Sequence, residues 1–253
     1  LKSATQNQSN PDNELIVVLD GFGSESKAVL EQYAKFNLNV VEFEQNRGQQ
    51  IAHNTGVTLA TNEYVLIVND DNVFPRNWDI RLDAYLKFYP DAVWTPNQIE
   101  PAPSIFRSFI IRNFGTTPET FDFDAFCEFA GSEVGSSIPI GADGQTWPLL
   151  IRKRHYMMLG GIDVSFPSPA VADWDFFFRC ELAGLSCYRA SGVPFYHFAG
   201  AATKKTPELA AAHAAKEQQS HQYFAWKWGA FATLDAKHNK RPVGGSFRGI
   251  SIS

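Results

Sequence analysis

Short apolar runs and helical stripes alternate through the first hundred residues, which restricts the chain to βα units stacked on a mostly parallel sheet. Residues 14–20, 39–43, 64–68 and 92–95 read as strands. Ser24 reads as an N-cap ahead of the stripe Val29, Leu30, Tyr33, Ala34 and Phe36, and residues 49–60 and 78–88 carry further helical patterns. Tyr64 to Val68 has no charged position, as in a strand covered on both faces, and runs straight into Asn69, Asp70, Asp71 and Asn72. Ligands of such sheets bind at the carboxyl ends of the strands. Side chains alternate along extended backbone, so Asn69 and Asp71 address one ligand while Asp70 is aimed elsewhere. Two oxygen donors on one side suit Mg2+ or Mn2+, which also take phosphate oxygens. An isolated Asp-Asp-Asn is equally a polar turn that caps the next helix; the neighbouring motifs decide between the two.

The 253 residues, 44% of them hydrophobic, are enough for one large α/β domain. We divide it into a first part (1–100), a second part (101–205) and a C-terminal helix and tail (206–253). A formal charge of −5 argues against nucleic acid or an anionic membrane as partner. Arg152-Lys153-Arg154 and Lys204-Lys205 read as solvated surface. No apolar run approaches the roughly 20 residues of a membrane span, and Leu1 opens no signal-peptide pattern, which leaves peripheral membrane contact compatible with the chain. Cys127, Cys180 and Cys187 lack CxxC spacing, so neither a disulfide framework nor a zinc knuckle is indicated and a cytoplasmic setting fits.

Residues 101–144 are rich in Phe, Pro, Gly and Ser, with Phe106, Phe109, Phe114, Phe121, Phe123, Phe126 and Phe129 serving either as an acceptor-side lid or as packing. Strand character resumes at Thr146 to Lys153. A short helix (154–159) ends at Gly160-Gly161, a second (174–183) ends at Gly184, two short strands lie within Cys187 to Phe198, and a long helix spans 207–228. The residues from His238 onward read as a tail. Leu1 to Asn13 looks like the end of a helix followed by a turn, so we expect upstream residues that supply a central strand.

Five segments stand in order: VVLDGFGS (17–24), NRG with HNTG (46–48, 53–56), VNDDN (68–72), GGID (160–163) and ADWDFFFRCELAG (172–184). Together they resemble the nucleotide-sugar-dependent glycosyltransferases of family 2, over about residues 14–229. The resemblance implies a GT-A fold: a Rossmann-like three-layer α/β sandwich with a mostly parallel central sheet and a smaller mixed acceptor-side part. It also implies inverting transfer from a UDP, dTDP or GDP sugar to a glycan or other hydroxyl acceptor, as in polysaccharide biosynthesis.

The resemblance places Asp20 at the N3-H of a uracil or thymine ring, Asn54 near the donor and Asn69 at the first acidic position of D-x-D. Asp71 becomes the direct metal ligand. Asp70 falls at the ribose or in a turn cap. His197 matches a histidine that contacts metal or phosphate, and is otherwise a plain half-buried histidine. The family often carries Arg where His53 stands. Asp173 is the catalytic base that takes the acceptor proton, with Ala172 in place of the preceding Glu; the same Asp can cap the following helix. Asp175 and Arg179, four residues apart, are spaced for a structural ion pair. Trp147, Gly160, Gly161 and Trp174 are placed at the acceptor, and Lys227-Trp228-Gly229 docks the last helix.

Asn69 and Ala172 soften two motifs, which keeps open a non-catalytic nucleotide-sugar or glycan-binding protein on the same fold. A metal-dependent nucleotidyltransferase would need a basic, Gly-rich triphosphate loop near the N-terminus, and none is present.

Overall fold

The structure, a computed structural model, describes residues 1–21, 24–103, 109–132, 140–141, 146–198, 206–229, 231–234 and 240–243. The elements run α1 (Lys2–Asn7), β1 (Leu15–Asp20), α2 (Ser24–Glu31), β2 (Leu38–Phe43), α3 (Gln49–Leu59), β3 (Tyr64–Ile67), β4 (Asn72–Val73), α4 (Trp78–Phe88) and β5 (Val93–Glu100). They continue β6 (Ile110–Ile111), α5 (Phe123–Ser132), β7 (Ile140–Gly141), β8 (Leu149–Arg152), α6 (Lys153–Met158), α7 (Ala172–Leu182), β9 (Cys187–His197), α8 (Pro207–Trp228), β10 (Phe231–Leu234) and β11 (Lys240–Val243).

Successive side chains of the same strands divide between two cores, which makes the sheet the middle of three layers. Val65, Ile67, Val93, Leu149 and Ile151 pack with α3, α7 and α8. Tyr64, Leu66, Trp94 and Leu150 pack on the other face with Trp78, Leu82 and Tyr85 of α4. The α/β class and the sandwich therefore stand, with a more mixed pairing than the sequence suggests. β1–β2, β5–β6 and β5–β9 are parallel, whereas β3–β8, β5–β8, β4–β9 and β7–β9 are antiparallel. β1 and β2 form a separate pair from the sheet ordered β3-β8-β5-β9-β4.

Both faces of β3 pack against a core, but β5 is the more completely covered: all eight residues of β5 are buried, while Tyr64 and Leu66 remain half-buried. The sequence pattern places the end of this strand at Thr95, whereas β5 runs on and carries Asn97, Gln98 and Glu100 into the interior. The aromatic insertion is packing where it is described. Phe114 and Phe126 form a third core with Ile99 and Tyr196, and Phe121, Phe123 and Phe129 pack against it; Phe106 lies outside the described residues. Three further boundaries differ. Cys187 to His197 is one strand rather than two, residues 123–132 are helical, and β11, inside the expected tail, pairs with β10 just before it. Helix α8 follows its sequence signals: Thr206 accepts from the Leu209 amide, Pro207 starts the first turn and Gly229 closes it at φ +64°. Among the described residues no helix is long and apolar enough to cross a membrane.

Candidate functional site

The loop after β2 is held against the end of β1. A Cβ on Gly21, whose φ is +81°, would stand 2.4 Å from the Asn46 backbone nitrogen, so only glycine lets the two backbones meet. The half-buried Asp20 carboxylate accepts from the amides of Arg47 at 2.6 Å and Gly48 at 2.9 Å, binding free donors at the start of α3. Next along, Gln49 Nε2 donates to Asn69 Oδ1 at 2.5 Å. Asn69 is further fixed in a turn, its amide donating to Asn72 Oδ1 at 3.2 Å. Asp20 and Asn69, 49 positions apart in sequence, are thus joined through the first residues of one helix.

Asp71 lies beside β9. The β4–β9 register sets Asn72 opposite His197, and the Phe198 amide donates to the Asp71 carbonyl at 3.2 Å. His197 Nε2 is 3.4 Å from Asp71 Oδ2, and its Nδ1 is 2.9 Å from Glu100 Oε1. Burial opposes charge on the ring, yet hydrogen bonds and charges from Asp71 and Glu100 outweigh it and raise the His197 pKa to about 9. Asp70 is exposed, in the turn between β3 and β4.

These residues fit a divalent cation that brings its own phosphate. Among the described residues no three His, Cys, Asp or Glu side chains form a metal-holding group. Two donors 3.4 Å apart can share one ion with bonds of about 2.1 Å, leaving other positions to diphosphate and water, the usual habit of Mg2+.

Asp173 is the second residue of α7 and is not its cap. The N-cap is Val171, held at φ +56°, a costly conformation for a β-branched residue. Asp173 is 5% exposed; Oδ1 accepts from the Trp174 amide at 2.9 Å and Oδ2 from Thr146 Oγ1 at 3.3 Å.

Helix α3 relates the two ends of the site. Gln49 touches Asn69, and one turn later the His53 ring lies edge-on to Trp147 with centroids 5.6 Å apart. The β3–β8 pairing runs as far as Ile67 opposite Leu149, two residues short of Asn69 on one strand and of Trp147 on the other. On β5, Gln98 donates to the Trp147 carbonyl and Glu100 meets His197, alternate positions that share one face. Asp71 with His197, and Thr146 with Asp173, therefore stand at the same end of the sheet.

Several expected contacts are used differently. Asn54 donates to the Ile162 carbonyl at 2.8 Å and accepts from the Ile162 amide at 2.9 Å and the Tyr156 hydroxyl at 2.6 Å, so it holds the Gly-Gly turn rather than a donor. Gly160 and Gly161 adopt φ of +78° and +72°. Trp147 and Trp174 are 7% and 9% exposed and belong to the core around α7, leaving little ring face for a sugar. His53 packs edge-on against Trp147 of that core; burial lowers its pKa to about 4, so no cation stands where the family often has Arg.

The Asp175–Arg179 pair forms at 2.9 Å within a larger buried network. Arg179 also donates to the carbonyls of Leu159 at 2.5 Å and Gly161 at 2.7 Å. Lys227 Nζ lies 2.6 Å from Asp163 and 2.7 Å from Asp175, and Trp228 Nε1 donates to Asp175 at 2.9 Å. The Gly-Gly turn, α7 and α8 are locked together by these charges. Sequence reasoning missed Glu100, Thr146, Gln49 and the two-carboxylate role of Lys227. Glu100 left no signal of its own, because it closes a stretch, Asn97 to Glu100, whose side chains are mostly polar.

Residues 1–124 match the family model described as glycosyl transferase family 2, which bears out the resemblance over that segment. The fold is that of GT-A glycosyltransferases of known structure. GalNAc-T7, solved with UDP, GalNAc and Mn2+, superposes with TM-score 0.57 at 13% identity, covering 76% of this chain and 39% of that one. S. aureus TarS 1-349 superposes with TM-score 0.57 at 15% identity over 89% of this chain and 64% of its own. Its complex with UDP-GlcNAc gives TM-score 0.56 at 16% identity, covering 89% and 66%. The chain thus spans well under half of GalNAc-T7 and about two thirds of TarS 1-349. No curated protein matches the sequence.

Proposed function

We propose that the chain is an inverting glycosyltransferase that moves a sugar from a nucleoside-diphosphate sugar to an acceptor hydroxyl with a divalent cation. The observation that carries this reading is the gathering of the Asp20–Asn69 string, the Asp71–His197 pair and the Thr146–Asp173 pair at one end of the sheet. The ligands named for GalNAc-T7 and TarS favour a UDP-sugar over a dTDP or GDP donor. Residues 1–100 then form the nucleotide-binding half and 101–205 the acceptor side, in a cytoplasmic setting.

Asp20 keeps unused lone pairs after accepting two amides, enough to take a base N–H. Asn69 is positioned by Gln49 toward the same ligand. Asp71 and His197 would hold Mn2+ or Mg2+, which stabilises the charge growing on the departing diphosphate. Asp173 takes the proton of the acceptor hydroxyl as the new bond forms on the opposite face of the sugar. Thr146 orients that carboxylate, and the turn at Gly160-Gly161 borders the acceptor without side chains of its own.

One observation favours the second reading, a sugar-nucleotide-binding protein without turnover: Asp173 is buried with both oxygens accepting hydrogen bonds. Nucleoside diphosphate release from UDP-, GDP- and dTDP-sugars, with and without Mn2+, separates the two. Mn2+-dependent release supports transfer, and binding without release from any donor supports the second reading.

A further inference from the structure

We propose that Glu100 is a positioning residue that presents His197 Nε2 to the cation, an inference that rests on the metal-dependent reading above. An ionised carboxylate only accepts hydrogen bonds, so Glu100 Oε1, 2.9 Å from Nδ1, requires that nitrogen to carry the proton. The other nitrogen, Nε2, then faces Asp71 Oδ2 at 3.4 Å, and its lone pair becomes a ligand once a cation replaces the proton there. Histidines that bind metals characteristically donate their second ring N–H to a carboxylate, which fixes tautomer and ring orientation.

The backbone holds Glu100 to this task. β5 and β9 run parallel with Ile99 opposite Tyr196, which sets the next residue of each, Glu100 and His197, side by side. On its other edge Glu100 pairs with Ile111, and its carbonyl accepts from the Arg112 amide at 3.0 Å. At 8% exposure its carboxylate is poorly placed to exchange His197 for water. A buried carboxylate is costly unless it is paired, and here its geometry is spent on the back of a single imidazole.

The test is Mn2+ binding in the presence of UDP, followed by electron paramagnetic resonance of free Mn2+, for the wild type, Glu100→Ala, Glu100→Gln and His197→Gln. Glu100→Ala is expected to weaken Mn2+ about 10- to 100-fold, the range for lost outer-shell partners, with partial recovery in Glu100→Gln, whose amide oxygen can still accept from Nδ1. Nitrogen-15 NMR of the His197 ring in the Mg2+–UDP complex gives a second readout that needs no variant, with the proton expected on Nδ1. Wild-type affinity in Glu100→Ala alongside weakening in His197→Gln, or a proton on Nε2, overturns the role of Glu100 alone. No Mn2+ binding by the wild type overturns the metal-dependent reading and this inference with it.

Discussion

Gln49 Nε2 lies 2.5 Å from Asn69 Oδ1, so the first residue of α3 sets the side chain that opens the Asn69–Asp71 tip. Gln49→Ala leaves Asn69 free to turn away. We expect UDP-sugar affinity, measured by calorimetry with Mn2+, to fall about 5- to 10-fold, the equivalent of one hydrogen bond, with an unchanged thermal midpoint. Unchanged affinity would remove α3 from the site.

Lys227 is a buried cation shared by two carboxylates. Lys227→Met leaves Asp163 and the fully buried Asp175 to lose their common partner. Breaking a buried ion network at one member costs about 3–5 kcal/mol, so denaturant unfolding should shift by that amount. A loss below about 1 kcal/mol, the scale of an exposed pair, would show the network to be solvated.

Gly160 and Gly161 share a left-handed backbone but differ in space. A Cβ on Gly161 would stand 2.5 Å from Asn54 Oδ1, whereas Gly160 has nothing within 4 Å. Gly160→Ala should cost about 1 kcal/mol, from the backbone conformation alone. Gly161→Ala should cost more because it also displaces the Asn54 clamp. Equal thermal midpoints for the two variants would contradict that geometry.

Burial lowers the His53 pKa from 6.5 to about 4 in the folded chain. Between those values the unfolded chain binds a proton that the folded chain refuses. The contribution is therefore complete above pH 6.5 and is lost as pH falls toward 4, by at most about 3 kcal/mol. His53→Phe should flatten the stability profile across this window, as read from denaturant midpoints at stepped pH; an unaltered slope would place His53 in solvent.

The fold was legible where a single period governs each segment. Trp78–Phe88 and Pro207–Trp228 match their sequence patterns end to end: Pro90 follows the first shortly after its end, and Pro207 and Gly229 mark the two ends of the second. β5 was cut short because Asn97, Gln98 and Glu100 look solvent-facing until their partners arrive from Arg189, Trp147 and His197, distant in sequence. The strand ends at Asp20 and Asn69 were visible as polar stops after apolar runs. What Asn54, Trp147 and Trp174 do was not, since a side chain's type does not reveal which neighbour uses it. Asn54 is consumed by the Ile162 backbone, and both tryptophans fill the space around α7.

The most direct test of the account is nucleoside diphosphate release by Asp173→Asn beside the wild type, at saturating UDP-sugar and Mn2+ with an accepted hydroxyl acceptor. Asn keeps the size and the Thr146 contact but cannot take a proton. The account predicts unchanged donor affinity with release slowed at least about 100-fold, the lower end for a lost general base. Release at the wild-type rate would contradict it.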